Sequence, residues 1–167
     1  GYVRGGVKMS PFILLDHVSK RYHTKKDEIH AVDQINLSME KGEFISLIGP
    51  SGCGKSTILS LISGLFPPTN GEIWIDDQKI SGPTSKIGYM LQQDYLLSWR
   101  TIEKNILLGL EIQGRLNEKT KKHALYLLNE MELSNYAKSY PSQLSGGMRQ
   151  RVALVRTLAT NPDILLL

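Results

Sequence analysis

The amino-acid sequence predicts an α/β fold with a buried parallel strand, an antiparallel part before it and a helical part after it. The buried strand is predicted by residues 44–48, Phe-Ile-Ser-Leu-Ile, which are almost continuously apolar. A glycine-rich loop and a helical pattern follow this run directly. Before it, residues 35–39 alternate apolar and polar side chains, as a strand with one solvated face does. Together these observations predict a sheet that is covered by helices.

The composition excludes several other classes of protein. The chain has 167 residues, of which 41% are hydrophobic and 22% are charged, and this balance is typical of a globular domain rather than a disordered chain. A net charge of +4 favours a polyanionic ligand but does not require nucleic acid. The single cysteine, Cys53, excludes an internal disulfide and a zinc site built from cysteines. No apolar run approaches the length of about eighteen residues that a membrane-spanning helix needs.

The N-terminal part of the sequence contains two predicted antiparallel strands, at residues 12–22 and 35–39, joined by a polar loop. Residues 1–11 are predicted to be an N-terminal extension. Met9 is a candidate natural start, because the Gly-rich opening changes there into a strand-like run. Residues 12–167 then form one partial domain.

After the glycine-rich loop, residues 55–64 have a helical pattern that ends at a glycine, with two prolines soon after. Residues 71–75 return to the two-residue alternation of a strand, and the Asp-Asp pair at 76–77 predicts a turn. The next predicted strand is at residues 87–91.

The C-terminal half is predicted to be mainly helical. Residues 101–133 contain an apolar face spaced for a helix, with Asn117 or Thr120 as the start signal. The residues of that face are Ala124, Leu127, Leu128 and Met131.

A further helix is predicted at residues 147–160, with a buried face formed by Met148, Val152, Val155 and Ala159. Residues 164–167 are four consecutive apolar residues and predict another parallel strand. Because this strand has no turn or covering element after it, we expect the chain to be truncated.

The loop at residues 49–56 reads Gly-Pro-Ser-Gly-Cys-Gly-Lys-Ser and matches the phosphate-loop pattern G-x-x-x-x-G-K-[ST]. In this pattern backbone N–H groups turn toward phosphate oxygens, and the helix N-terminus adds positive charge. Lys55 would reach the β- and γ-phosphates, Ser56 would hold Mg²⁺ and Thr57 would contact the α-phosphate. A glycine turn with a chance lysine is the alternative, and the flanking strand and helix argue against it. The predicted nucleotide-binding residues of the loop are Gly49, Pro50, Ser51, Gly52, Cys53, Gly54, Lys55, Ser56 and Thr57.

A second motif begins the helix predicted at residues 147–160. Residues 144–151 read Leu-Ser-Gly-Gly-Met-Arg-Gln-Arg. Ser145 can cap the helix, while Gly146 and Gly147 leave its N-terminus open to an anion. Alone, this motif could be a cap and a loop. With a phosphate loop upstream, it resembles the signature sequence of the ATP-binding cassette (ABC) ATPases.

The resemblance to ABC ATPases extends over residues 12–167. It implies a P-loop NTPase core with an antiparallel β subdomain, a helical subdomain at about residues 94–145, and a missing C-terminal part. It also implies that the signature residues close over ATP held by the phosphate loop of a second subunit. The functional unit would then be a homodimer or another pair of ABC ATPases that binds ATP and Mg²⁺.

Two more positions resemble functional positions of this family. Gln92 resembles the Q-loop glutamine that reaches Mg²⁺ and the attacking water, and Gln93 beside it is the alternative register. Tyr22 resembles the aromatic residue that stacks on adenine, and ordinary packing is the alternative. The resemblance thus makes Lys55 and Gln92 the catalytic residues, and Ser56 and Gln92 the contacts to the metal.

Residues 161–167 read Asn-Pro-Asp-Ile-Leu-Leu-Leu and resemble the Walker B strand of the family. In ABC ATPases an aspartate for Mg²⁺, a catalytic glutamate and a switch histidine follow this strand. The sequence does not contain them, and Asp163 lies at the opposite end of the strand from the catalytic edge of the sheet. We therefore expect this chain to be the front part of a longer domain and to lack hydrolytic activity by itself.

For the intact protein, the resemblance implies an ATPase subunit of an ABC importer, bound peripherally at the cytoplasmic face of the cell membrane. Its partners would be an integral-membrane permease and a solute-binding protein, and not nucleic acid. Residues 87–94 and 96–101 resemble the nitrate, sulfonate and taurine uptake group, although Ser98 stands where that group usually has proline. Two alternatives stay open: a non-transport ABC ATPase that acts on nucleic acid or ribosomes, and a truncated nucleotide-binding remnant without hydrolysis.

Overall fold

The computed structural model describes residues 10–167 and the backbone of residues 3–4 and 7–8. Two short strands, β1 (Val3–Arg4) and β2 (Val7–Lys8), pair in antiparallel orientation. The candidate start at Met9 lies outside the described residues, as do parts of the predicted extension. The chain divides into two compact units, Gly1–Thr84 and Ser85–Leu167.

The first unit is built on a four-stranded antiparallel sheet with the strand order β4-β3-β5-β6. Its strands are β3 (Ile13–His23), β4 (Glu28–Met39), β5 (Asn70–Ile75) and β6 (Gln78–Lys79). The registers pair Ile13 of the central strand β3 with Met39 on one side and with Ile75 on the other. The two antiparallel strands predicted from alternation are therefore confirmed, with β4 longer than expected.

Helix α1 (Lys55–Ile62) follows the glycine-rich loop and contributes buried residues Leu61 and Ile62. The alternating strands supply the rest of the core, because every second side chain of a strand faces the same side of its sheet. The buried apolar residues of this unit are Ile13, Leu15, Val18, Val32, Leu61, Ile62, Ile73 and Ile75.

The turn between β5 and β6 was predicted correctly. Asp76 and Asp77 have φ values of 51° and 59°, and Ile75 pairs directly with Gln78 across the turn. Two-residue hairpin loops favour positive φ at both positions, because this backbone twist matches the twist of the strands. Aspartate tolerates that conformation better than most residues other than glycine.

The strand predicted at residues 44–48 is wrong. These residues form neither strand nor helix, and the side chains of Phe44 and Ile48 are 86% and 93% exposed. A strand needs hydrogen-bonding partners along its edges. Among the described residues, no strand pairs with this segment, since the ladders of the first unit join β1 to β2 and run between β3, β4, β5 and β6.

The second unit combines a parallel strand pair with helices. Strands β7 (Ile87–Tyr89) and β8 (Ile164–Leu166) pair in parallel with Ile87 opposite Ile164. Both strands were predicted, and β7 is two residues shorter than expected. The three α-helices between them are α2 (Ile102–Ile112), α3 (Glu118–Glu130) and α4 (Gly146–Leu158), and 3-10 helices cover Ser134–Tyr136 and Pro141–Gln143.

The helical region predicted at residues 101–133 is two helices, each with its own N-cap. The side chain of Thr101 accepts a hydrogen bond from the backbone N–H of Lys104 at the start of α2. At the start of α3, the Asn117 side chain accepts from the N–H of Thr120, and the Thr120 side chain accepts from the N–H of Asn117. Both candidate start residues thus belong to one reciprocal capping box.

The helices of the second unit share one hydrophobic core. Of the face predicted from the helical spacing, Ala124 and Leu128 are buried, while Leu127 and Met131 are partly buried against the core. In α4, Val152 and Val155 are buried, together with Ala159 directly after the helix, and Met148 is partly buried. Among the described residues, no helix is both long and apolar enough to cross a bilayer.

Candidate nucleotide-binding site

The glycine-rich loop leads directly into α1. Gly54 precedes the first helical residue with φ 96° and ψ 6°, and Gly52 has φ 80°. A Cβ atom on Gly54 would lie 2.6 Å from the carbonyl oxygen of Ala31 and 2.8 Å from a methyl carbon of Val32. Positive φ and close approach to β4 both favour glycine at position 54. The loop therefore brings its backbone close to the sheet at the point where the helix begins.

The N-terminus of α1 is suited to an anion. Among the described residues no side chain caps it, and its first turn contains no acidic residue. The first N–H groups of a helix have no partner within the helix, and the helix dipole makes this end positive. Ser56 is exposed in this first turn, and Thr57 beside it is partly buried. These features fit the phosphate-binding role expected from the sequence.

The side chain of Lys55 folds back over the loop. Its ammonium group donates hydrogen bonds to the carbonyl oxygens of Gly49 and Pro50, the latter at 3.0 Å. Both carbonyls lie at the start of the phosphate-loop motif, and Lys55 lies near its end. The lysine side chain therefore spans the loop. Cys53 is exposed in the same loop, and its sulfur lies where a Cβ atom of Gly49 would clash at 2.7 Å. The contact between Cys53 and Gly49 is thus a packing contact.

Tyr22 lies on β3, beside the strand β4 that the phosphate loop approaches. Tyr22 pairs with Ile29 of β4, and Ala31, two residues farther along β4, contacts Gly54 of the loop. Tyr22 is 37% exposed, and the Lys20 ammonium lies 5.4 Å from the centroid of its ring. An exposed aromatic side chain is suited to stacking on a base.

The second motif forms the N-terminus of α4. Ser145 has extended backbone angles, and its hydroxyl accepts a hydrogen bond from the N–H of Met148 at 3.2 Å. Its role as the N-cap is therefore as the sequence predicts. Gly146 and Gly147 are exposed, and a Cβ atom on Gly147 would have no neighbour within 4 Å in the part of the chain that the structure describes. With no acidic residue in its first turn, this helix end is also open to an anion.

Gln92 lies shortly after β7, as expected, and its side chain is exposed. Its carbonyl oxygen accepts a hydrogen bond from the Gln150 side chain at 3.0 Å. Gln93 is exposed as well. At β8, Asp163 precedes the first strand residue and donates its backbone N–H to the carbonyl of Lys86. The structure therefore places Asp163 at the start of the strand.

The sequence analysis did not identify the polar side chains that hold the segment after Gln92. Asn105 is fully buried and Arg156 is partly buried, and both bind carbonyl groups of this segment. A polar residue on a helix face that is otherwise apolar was the available signal for Asn105, because buried polar groups require hydrogen-bond partners. Nothing in the sequence pairs Arg156 with its carbonyl acceptors.

Known proteins resemble this chain over most of its length. The family described as "ABC transporter" matches residues 32–167. The chain is 52% identical over 156 residues to an uncharacterized ABC transporter ATP-binding protein of Bacillus subtilis, covering 93% of this chain and 60% of that protein. It is 40% identical over 156 residues to an aliphatic sulfonates import ATP-binding protein of Bacillus cereus, covering 93% of this chain and 61% of that one.

The fold is similar to a solved dimeric ATP-binding cassette in a post-hydrolysis state bound to ADP and Pi. The TM-score is 0.81 at 37% sequence identity, and the match covers 92% of this chain and 72% of that chain. The chain thus spans about 60% of the length of the curated relatives it matches.

Proposed function

Because the chain belongs to the ABC transporter family of ATP-binding proteins, we propose that the whole protein is the ATP-hydrolysing subunit of an importer. One observation carries this proposal. Two helices, α1 and α4, begin at glycine-bordered ends without an acidic residue in the first turn, and each lies in one of the two motifs that the family uses on ATP. Relatives named for the import of aliphatic sulfonates, nitrate and taurine support a small solute of this kind as the cargo.

The phosphate loop is proposed to hold the triphosphate of ATP. Backbone N–H groups of the loop and of the first turn of α1 would donate to its oxygens. Lys55 would exchange its carbonyl contacts at Gly49 and Pro50 for the β- and γ-phosphates. That exchange is favourable because a phosphate oxygen carries more charge than a carbonyl oxygen. Tyr22 would stack on the base.

Ser56 and Gln92 are each proposed to contribute an oxygen ligand to a magnesium ion. Ser56 offers an exposed hydroxyl and Gln92 an exposed amide, and both are oxygen donors of the kind that Mg²⁺ takes alongside phosphates and water. When bound, the ion would neutralise charge that develops on the phosphates during transfer. The glutamine would also orient the attacking water.

The helix end at Ser145 is proposed to act on a second subunit. Its glycines leave room for an anion, and a C₂ pair could place this end of each protomer against the ATP held by the other. Two nucleotides would then lie at one symmetric interface. A homodimer or a pair with another ABC ATPase satisfies this arrangement.

The second unit is proposed to contact the permease near Trp99. This side chain is 73% exposed and that of Ile112 is 76% exposed. Arg100 and Glu111 form a bidentate ion pair at 2.8 to 3.0 Å, which holds together the two segments that carry these apolar residues. An exposed aromatic and aliphatic pair is suited to a short helix of a membrane protein. A solute-binding protein would complete the transporter, and the ATPase would lie peripherally on the cytoplasmic side.

The experiment that tests the proposal is ATP hydrolysis by the whole protein assembled with its permease. Replacing Gln92 with alanine is expected to lower kcat by about 100-fold, with ATP affinity changed by less than about threefold, because water orientation is needed mainly in the transition state. Gln93→Ala is the matched control and is expected to retain activity.

Other outcomes of this assay would contradict the proposal. Nucleotide binding without any hydrolysis would favour the binding-only remnant. Stimulation by nucleic acid or ribosomes instead of the permease would favour the non-transport alternative. Loss of activity in Gln93→Ala but not in Gln92→Ala would assign the catalytic role to Gln93 instead of Gln92.

A further inference from the structure

Side chains of α4 form hydrogen bonds with the backbone of the segment that begins at Gln92. The Gln150 amide donates to the carbonyl of Gln92 at 3.0 Å. One guanidinium nitrogen of Arg156 donates to the carbonyl of Asp94 at 2.6 Å, and another donates to the carbonyl of Tyr95 at 3.0 Å. Three main-chain carbonyls of this segment are thus bound from a single helix.

Arg149 connects this segment to the signature motif. Its Nε donates to Asp94 Oδ2 at 3.2 Å, and its Nη1 donates to the carbonyl of Leu144 at 2.8 Å. Leu144 immediately precedes the helix cap Ser145. The other carboxylate oxygen of Asp94 accepts the backbone N–H of Leu96 at 3.0 Å. One ion pair therefore joins the start of the signature motif to the turn after Gln92.

The backbone of this turn needs such support. Tyr95 has φ 46°, a left-handed conformation that is costly for a residue with an aromatic side chain. Tyr95 is 59% exposed, so its packing contributes little to holding this conformation. The two carbonyls that Arg156 binds belong to Asp94 and Tyr95, at the strained position itself. The planar guanidinium is suited to this task because it presents several donors in a fixed geometry.

Arg156 is charged in a partly desolvated place. Burial lowers the pKa of its guanidinium from the usual value, and the nearby carboxylate of Asp94 opposes this effect. An arginine remains protonated despite such a shift. Its hydrogen bonds to the carbonyls are therefore charge-assisted and stronger than neutral ones.

Asn105 of α2 holds the far end of the same segment. This fully buried amide accepts the N–H of Leu97 at 2.8 Å and donates to the carbonyls of Leu97, Arg100 and Thr101 at 3.0 to 3.1 Å. The segment from Gln92 to Thr101 is thus bound by α4 at one end and by α2 at the other. The exposed Trp99 lies within it.

We propose that Arg149 and Arg156 are positioning residues that fix the Gln92-bearing segment to the signature helix, so that both motifs move as one body. A displacement of the segment near Trp99 would then displace Ser145 as well, because Arg149 and Arg156 connect the segment to α4. The helix itself would not need to rearrange. The mechanical part of this inference concerns the second unit alone. Its catalytic consequence rests on the proposed function.

Amide hydrogen exchange of the whole protein tests the mechanical part. In Arg156→Ala, we expect the N–H groups of Leu96 and Leu97 to exchange about tenfold faster, because a charge-assisted contact to their segment is lost. Arg156→Lys is expected to accelerate this exchange in the same way, since one ammonium group cannot reproduce the fixed geometry in which the guanidinium donates to two carbonyls. Arg151→Ala is the matched control: Arg151 lies on the same helix but donates to the carbonyl of Met131. Unchanged exchange in both Arg156 variants, or equal acceleration in Arg151→Ala, would overturn the proposal.

A double-mutant cycle keeps the test decisive if an Arg156 variant does not fold. Asp94→Asn keeps the size of the side chain and removes its charge, and Arg149→Gln removes the partner. We expect the two changes to be strongly non-additive in their effect on Leu96 exchange. Additive effects would contradict the proposed link through this pair.

The catalytic part has a separate measurement. Arg149→Gln and Arg156→Lys are expected to lower kcat by about tenfold, while the Kd for ATP stays within about twofold, because neither residue belongs to the phosphate loop. A change in exchange with unaltered kcat would overturn the catalytic part. If the unsubstituted protein hydrolyses no ATP, the proposed function fails, whereas the exchange result still decides whether these arginines fix the segment.

Discussion

Replacing Lys55 with alanine is expected to weaken ATP binding by the whole protein at least about 100-fold. Two charge-assisted hydrogen bonds to phosphates would be lost, at a cost of about 3 kcal/mol, and each 1.4 kcal/mol corresponds to about tenfold in affinity. Pro50, one of the carbonyl partners of Lys55, is exposed, so water can replace that contact with little effect on folding. Titration calorimetry with ATP, ADP and AMP measures the effect.

The choice of nucleotides makes this prediction specific. If Lys55 contacts the β- and γ-phosphates, its removal should weaken ATP and ADP binding strongly and AMP binding only slightly. Lys79→Ala removes the same charge from the same unit, where Lys79 pairs with Glu72 on the surface, and should leave all three affinities unchanged. Unchanged ATP affinity in Lys55→Ala would contradict the assignment of the phosphate loop.

Replacing Gly54 with alanine is expected to destabilise the first unit by about 3 kcal/mol. The new methyl group would lie 2.6 Å from the Ala31 carbonyl oxygen, which belongs to a strand backbone and cannot move cheaply. Overpacking and a positive φ each cost about 1 to 2 kcal/mol for a residue with a side chain. The unfolding free energy can be followed by the fluorescence of Trp74 in a Trp99→Phe background.

Gly52→Ala is the matched control for Gly54→Ala. Gly52 also has a positive φ, but a Cβ atom there would meet no atom of the described residues within 4 Å. Gly52→Ala should therefore lower the free energy of unfolding by only about 1 kcal/mol, which is the cost of the positive φ alone. Equal destabilisation by the two substitutions would show that close approach to β4 is not what position 54 requires.

Local patterns predicted much of the fold because their physical causes are local. The alternation in β3 and β4 reflects one buried and one solvated face, and the Asp-Asp turn reflects the positive φ that both residues adopt. The start of α4 was likewise predicted from Ser145, whose hydroxyl caps its own helix. Each of these features depends on residues that are close together in the sequence.

The failures concern features that depend on distant residues. Residues 44–48 have the composition of a buried strand, but a strand also requires a partner, which composition does not supply. Similarly, the contact between Arg149 and Asp94 joins positions 55 residues apart. The sequence contains both charges without indicating that they meet.

The two helix ends of the candidate site were predicted separately, each from its own sequence motif. Alpha-helix ends without acidic residues occur at the phosphate loop and at Ser145, as their motifs predict. The register of β3 against β4 pairs Tyr22 with Ile29, and the role of Tyr22 at the adenine base was inferred only from the family resemblance. The polar contacts around Asp94 were found from the structure.

Nucleotide-dependent pairing of the whole protein tests the central claim most directly, because pairing is what the open helix end at Ser145 is proposed to serve. In analytical ultracentrifugation with Mg²⁺ and a non-hydrolysable ATP analogue, we expect a dimer that is absent without nucleotide. Ser145→Arg should bind the analogue but remain monomeric, since its long side chain would fill the anion site. A protein that binds the analogue and stays monomeric, or a dimer that Ser145→Arg leaves intact, would contradict the account.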